Sequence, residues 1–355
     1  MVMPKSDRVT RPTSRDVARL AGVSHTTVSF VVNGVHEAEI PEETRARVLR
    51  AVAQLDYHPH EAARSLRSRA SRLLGLAIPE AYSGHQEERA AAVEAYAQSK
   101  GYSVFRSVTN FDAAAERRCF QWLTQRRFDA LILAIGSGRA VADDVRALAR
   151  QGYCITGLGL HEPDIDGVAL AAEEGERQVV EHLATLGHRR IGYIYGVFDH
   201  DFLGGRLAAC LALQRARGLP VDERWVRRCG PTMEDGYRET GALLDACAGT
   251  DRPTALIVVN DLLAGAVLAA LYAAGISVPD AMSVASFDNT PQAAYTIPPL
   301  TSVDADVRRQ GELAAQLTIE RLANPRRPLA HLETRARLVV RASTGPAPAA
   351  AASSA

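Results

Sequence analysis

The 355-residue sequence predicts an N-terminal all-α helix-turn-helix headpiece followed by a two-lobed α/β core of parallel sheets. Three observations carry this. Two short amphipathic stretches meet at Gly22 within residues 13–33. The pattern changes at Arg72 to short apolar runs alternating with amphipathic helices. About ten such runs follow, more than one sheet of ordinary width accommodates. The expected organisation is a headpiece over 1–54, a hinge over 55–71, a core over 72–342 and a disordered tail over 343–355.

In the headpiece, Thr13 is placed to cap a first helix, with Asp16 three positions on to complete the cap. Val17, Ala18, Ala21 and Val23 put apolar groups on one side. Gly22 sits where two helices meet sharply and where φ > 0 is often required. Ser24 caps the second helix, and Val28, Val31 and Val32 face back to the first. This leaves His25, Thr26, Ser29, Phe30 and Asn33 as an exposed row of mostly short polar groups, which suits a DNA major groove. An αα-hairpin at the edge of a globular domain has the same outline, and the following forty residues favour the groove reading.

Pro41 opens a third helix with Glu42 and Glu43 in its first turn, and Val48, Val52 and Leu55 can close a three-helix core. Beyond Pro59, Ala62, Ala63 and Leu66 form a short apolar edge flanked by Arg64, Arg67 and Arg69. A flexible linker is richer in Gly and Ser; a short basic helix with one bulky apolar residue suits a minor-groove wedge. Residues 1–70 hold 11 Lys and Arg against 8 Asp and Glu, a local excess of three on a chain of formal net charge +0.

The core reads as strands at Leu73–Ile78, Tyr102–Phe105, Ala130–Ile135, Tyr153–Thr156, Gly167–Leu170, Ile191–Tyr195, Ala255–Val259 and Ser283–Phe287. Helical stretches lie between them, among them Glu87–Lys100, Ala113–Arg126, Glu173–Leu186, Gly205–Arg217, Glu234–Ala246, Leu262–Ala274 and Arg308–Leu322. Such alternation gives parallel sheets covered on both faces, with ligands beyond the carboxyl ends of the strands. Residues there include His85, Arg206, Asn260 and Asp288. Asp261, just before Leu262-Leu263, reads as a helix cap.

Other chemistry finds little support. Hydrophobic residues make up 47% and charged residues 23%, ordinary for a soluble protein, and no apolar run of membrane-spanning length is present. No apolar leader region is seen, so a cytoplasmic location is expected. The five cysteines show no metal spacing and read as reduced packing thiols. Gly136-Ser-Gly138 lacks the third glycine of a dinucleotide loop. Asp199-His200-Asp201 are consecutive and poorly placed to converge on one metal. With no Gly-x-Ser-x-Gly or His-Glu-x-x-His, the expectation is no enzyme, no cofactor and no metal.

The stretches Asp16–Ser24, Thr27–Asn33 and Leu55–Pro59 followed by Ala63-Arg-Ser-Leu66 resemble the headpiece of the LacI/GalR (lactose-repressor) family of bacterial transcription regulators. The likeness continues through Glu181–Ile191, Val259–Gly265, Ser283–Asn289 and Ile297–Thr301. It implies a periplasmic-binding-protein-like core of Rossmann-like lobes crossed by three linking strands, and a dimer that represses through a pseudo-palindromic operator. The implied DNA-binding set is Thr13, Ser14, Ser24, His25, Thr26, Thr27, Ser29, Phe30, Asn33, Tyr57, His60, Ala63, Arg64 and Leu66, with Leu66 as the wedge. The resemblance marks Arg206 and Asp288 as effector contacts, and the strand-end positions add Tyr82, His200 and Asn260, around a small, sugar-like molecule. A solute-binding or transport-associated protein is the alternative use of such a core.

This sequence departs from the family's pattern in places. Phe30 stands where Arg is frequent, so apolar contact replaces bidentate guanine reading. His60 stands where Asn is common. Leu158-Gly159 replaces an acid, Ala171-Ala172 an Asp-Asn pair, Pro231 an aromatic and Ala209 a glycine. Fewer hydroxyl-binding groups remain than in a sugar pocket, which implies either a less polar effector or a weak response.

Overall fold

The computed structural model describes residues 12–33, 39–57, 71–79, 84–134, 138–159, 162–171, 173–196, 201–247 and 251–349. Two compact units result, Met1–Ser71 and Arg72–Ala355.

The first unit contains α1 (Ser14–Ala21), α2 (His25–Asn33) and α3 (Glu42–Gln54). Val17, Val28, Val48 and Ala51 fill its centre, with Val23, Val52, Leu55 and Tyr57 packed around them. The Asp16 carboxylate accepts from the Thr13 amide at 2.9 Å and from its hydroxyl at 2.6 Å, which fixes the start of α1. Gly22 ends α1 at φ 64°, ψ 40°, the left-handed region, and the Val23 amide closes the turn on Ala18 at 3.1 Å.

The second unit contains two six-stranded sheets. The first has the order β11-β5-β4-β3-β1-β2, all parallel. Its strands are β1 (Leu73–Ile78), β2 (Ser103–Val108), β3 (Ala130–Leu133), β4 (Ile155–Leu158), β5 (Asp166–Leu170) and β11 (His331–Thr334). Side chains alternate as a pleat requires. Leu131 and Leu133 pack with Phe120 and Leu123 of α5 (Ala113–Thr124). Ile132 faces the other way, toward Val93 of α4 (Gly84–Ser99) and Leu317 of α11 (Val307–Ala323). A further helix, α6 (Ala142–Arg150), follows β3.

The second sheet has the order β12-β10-β9-β8-β6-β7. It is built from β6 (Ile191–Gly196), β7 (Val226–Cys229), β8 (Ala255–Val258), β9 (Ser283–Phe287), β10 (Thr301–Asp304) and β12 (Arg337–Val339). α7 (Glu174–Thr185) and α8 (Asp201–Ala216) follow β5 and β6. α9 (Met233–Ala246) and α10 (Asp261–Ala273) follow β7 and β8. Val179 and Leu183 cover one face through Tyr193, Ile257 and Phe287; Leu263 and Val267 cover the other through Ile194, Val258 and Val284.

The chain crosses between the sheets three times, from β5 to α7, from β10 to α11, and from β11 to β12. This geometry explains why, among the described strands, β10 pairs antiparallel with β12. β10 leads the chain out of the second sheet and β12 brings it back, so the two run in opposite senses.

One expectation is corrected. The segment from Ser343 to Ala349, expected to begin a disordered tail, is docked. Ser343 is fully buried; its hydroxyl donates to the Val284 carbonyl at 2.6 Å and accepts from the Thr301 amide at 2.8 Å. The Gly345 amide donates to Ser283 Oγ at 3.0 Å, and the Ala347 amide to the Leu186 carbonyl at 2.8 Å. Composition hid this because the binding runs through backbone and hydroxyl groups beside β9, not through apolar bulk. Residues 350–355 lie outside the described residues.

Candidate nucleic-acid and effector sites

In the headpiece, Ser24, His25 and Thr26 are exposed at the start of α2. Ser24 Oγ accepts from the Thr27 amide at 3.1 Å and exchanges a hydrogen bond with the Thr27 hydroxyl at 2.9 Å, so the expected cap is in place. His25 Nε2 lies 2.8 Å from Ser14 Oγ, joining the first residue of α2 to the first of α1. Two expected DNA contacts therefore hold each other. The exposed row is shorter than expected: Ser29 and Phe30 are half-buried, because a nine-residue helix between two others has little free circumference. Thr13 is exposed, and Ser14, Thr27 and Tyr57 are half-buried. Asn33 ends α2, and its side chain is not among the described ones. His60, Ala63, Arg64 and Leu66 lie outside the described residues, as do Tyr82 and His200.

In the core, Arg206, Asn260 and Asp288 lie close to the carboxyl ends of the second sheet's strands. Arg206, on α8, turns into its own lobe. Its Nε donates to Glu176 Oε1 at 3.0 Å and its Nη1 to the Val259 carbonyl at 3.1 Å. The guanidinium lies 4.2 Å from the centre of the Phe287 ring. Both partners of the Arg206–Glu176 pair are about nine-tenths buried, at 11% and 9% exposure. A small pocket beside this pair is lined by Tyr195, Leu207, Cys210, Val259 and Phe287. Burial pushes the Cys210 thiol upward, so it stays protonated.

The cap of α10 expected at Asp261 is made by Asn260, its side chain accepting from the Leu263 amide at 2.9 Å. Asp261 instead turns into the core. It accepts from the Ser302 hydroxyl at 2.6 Å, from the Thr290 amide and hydroxyl at 2.6 and 2.9 Å, and from the Ser286 hydroxyl. Burial, with Asp288 nearby, raises its carboxyl above the usual range, while the donated hydrogen bonds pull it back. This network fixes the loop after β9, where Asp288 and Asn289 adopt φ of 106° and 48°. Such conformations are sparsely populated for residues with a Cβ and collect at functional sites.

Asp288 connects the lobes. Its Oδ2 lies 3.1 Å from Nδ1 of His85, the second residue of α4, out of line for a hydrogen bond. Gly84 packs here too: a Cβ at this position would stand 3.1 Å from Thr290 Cγ2. Behind His85, Arg89 is buried between the lobes' connections, and its Nη2 donates to Gln310 Oε1 at 2.8 Å. Arg89 and Gln310 were not anticipated. Arg89 lies on the buried side of its helix with Gln86, Ala90, Val93 and Ala97. Among the described residues, no group of three or more His, Cys, Asp or Glu is placed to hold a metal, and no helix is long and apolar enough to cross a membrane.

Comparison with known proteins agrees with this architecture. Residues 13–60 match the model of bacterial regulatory proteins of the lacI family, and residues 180–344 match that of the periplasmic binding protein-like domain. An HTH-type transcriptional repressor PurR of Mannheimia succiniciproducens is 31% identical over 335 residues, covering 93% of this chain and 98% of that protein. An HTH-type transcriptional regulator DegA of Bacillus subtilis is 30% identical, covering 95% of this chain and 99% of that one. Among solved structures, the Lac repressor dimer bound to operator and the anti-inducer ONPF has a TM-score of 0.83. It is 27% identical, with 95% of this chain and all of that chain covered. The headpiece, the twin sheets with three crossings and the full-length similarity together place this chain in the LacI family of bacterial transcription regulators.

Proposed function

We propose that this protein is a ligand-responsive repressor that binds a pseudo-palindromic operator as a dimer and takes a small, sugar-like effector between its lobes. The observation that carries the reading is the start of α2. There His25 and Thr26 stand exposed on a capped helix whose angle to α1 is set by Gly22. Such a rigid, groove-sized rod is what major-groove reading requires. The similar Lac repressor structure holds operator and a small anti-inducer together, which supports both halves of the proposal. A dimer is supported by Tyr295 and Ile297, 85% and 93% exposed, which offer apolar surface to a second copy.

Effector binding shifts the population between two lobe arrangements and thereby loosens the hinges on DNA. Arg206, Asn260 and Asp288 are the proposed effector contacts, and Leu66 the proposed wedge. Footprinting on a selected operator tests this. The footprint is expected to vanish when residues 1–70 are deleted. D288A is expected to abolish release by effector while operator binding persists; a retained response removes the proposed pocket. L66A is expected to weaken specific binding far more than non-specific binding; equal losses remove the wedge.

A further inference from the structure

Among the described residues, Arg89 is a buried cation without an ion-pair partner. The residue is 9% exposed, and no carboxylate among the described residues lies within ion-pair distance of it. Its Nη1 donates to Gln86 Oε1 at 3.2 Å and its Nη2 to Gln310 Oε1 at 2.8 Å, both neutral acceptors. Its Nε is buried with no hydrogen-bond partner among the described residues. A folded protein rarely leaves a buried guanidinium in this condition, because no paired carboxylate offsets its desolvation and Asp288 acts on it only from beyond ion-pair distance.

The surroundings hold Arg89 ready. Gln310 is 1% exposed, and its Nε2 donates to the Ala305 carbonyl at 2.7 Å and to Thr334 Oγ1 at 3.0 Å. Both acceptors belong to the crossings between the lobes, so the Gln310 oxygen is fixed toward the guanidinium. On another side stands Gly159, at φ +76°, just past the carboxyl end of β4. A Cβ there would come to 3.9 Å from Nη1, but glycine offers neither bulk nor charge. By contrast, the buried guanidinium of Arg206 lies on the Glu176 carboxylate. Burial lowers the Arg89 pKa to about 10, with Asp288 pulling it upward, so the group remains cationic at neutral pH.

We propose that the effector carries an acidic group, carboxylate or phosphate, which binds Arg89 through Nε and the unused Nη protons beside Gly159. This rests on the reading that the effector binds between the lobes. The anion reaches Arg89 when His85 and Asp288 part, so its charge stabilises one lobe arrangement over the other.

The test is the melting temperature of the purified full chain, wild type and R89L, at constant ionic strength. Probes are D-glucose, D-gluconate, D-glucuronate and D-glucose 6-phosphate at about 10 mM. At least one acid is expected to raise the melting temperature of the wild type, and glucose to do less. Carboxylate and phosphate arms separate the two sources of the charge. R89L is expected to bind that acid about tenfold more weakly or worse, and without ligand to melt no lower than wild type, since it removes an unmatched charge. R89Q, which keeps polarity, is expected to lose the same response and guards against a folding failure of R89L. A rise with glucose equal to that with the acids, no rise with any acid, or an acid response preserved in R89L or R89Q overturns the proposal. A response to glucose alone leaves the inter-lobe reading standing. An acid response lost in R89L but without effect on a selected operator keeps the site and overturns the regulator reading.

Discussion

Gly22 holds the headpiece's angle at φ 64°, with nothing within 4 Å of where a Cβ would stand. Space is therefore not the obstacle to a side chain; backbone conformation is. G22A is expected to destabilise the headpiece by about 1–2 kcal/mol, the cost of left-handed backbone for an ordinary residue, as read by urea unfolding. No loss would mean that the turn relaxes to another geometry. Arg206 gives a second prediction. R206A leaves Glu176 buried without its partner and is expected to destabilise the core by about 3–5 kcal/mol. Adding E176Q is expected to recover most of the loss in denaturant unfolding. Arg206 was legible in the sequence as a polar residue beyond a strand end, but Glu176 was not, because the pair forms across 30 positions of chain. Arg89 was hidden for the same reason: its partner Gln310 lies 221 positions further along the chain.

At the scale of elements, apolar runs mark the central strands well. Leu73–Ile78 and Ser283–Phe287 form strands with the expected bounds. Of the edge strands, β2 was read in part, at Tyr102–Phe105, while β7, β11 and β12 escape this signal. Val226–Cys229 carries Arg227 and Arg228, and His331–Thr334 and Arg337–Val339 are polar and partly exposed, so none reads as a buried run. The docked segment after Ser343 was missed for the same physical reason. It is bound partly through His188, whose Nδ1 lies 2.9 Å from Thr254 Oγ1 and whose Nε2 lies 3.0 Å from both Ser283 Oγ and the Gly345 carbonyl.

Burial lowers the His188 pKa below the ordinary imidazole value, and likewise that of His182, which meets Thr344 at 2.9 Å. The unfolded chain then takes up these protons at higher pH than the folded one. Stability is accordingly present above the unfolded imidazole pKa and is lost as pH falls through it toward the folded values. Urea unfolding between pH 7.5 and 5.5, a window of about one unit either side of a free histidine, is expected to show this loss in wild type and less of it in H188Q. An equal loss in H188Q would assign the effect to other groups. Truncation after residue 342 is expected to lower stability at all pH values and to flatten the same profile.

For the whole molecule, the formal net charge of +0 makes DNA attraction a local property of the N-terminal region, with its excess of three basic residues over 1–70. On the proposed reading, specificity rests on the short exposed turn of α2 more than on bulk electrostatics. In the second unit, three crossings join the two lobes. Asp288, His85 and Arg89 lie where these lobes meet. The whole-molecule organisation was readable from the order of motifs, whereas the charges between the lobes were not, since they meet only after both lobes fold. The most direct test of the account is selection of duplexes from a random pool by the full-length protein. The account predicts enrichment of a pseudo-palindromic site whose occupancy a small-molecule effector changes in wild type but not in D288A. Failure to enrich any duplex, or enrichment that persists after residues 1–70 are removed, would contradict it.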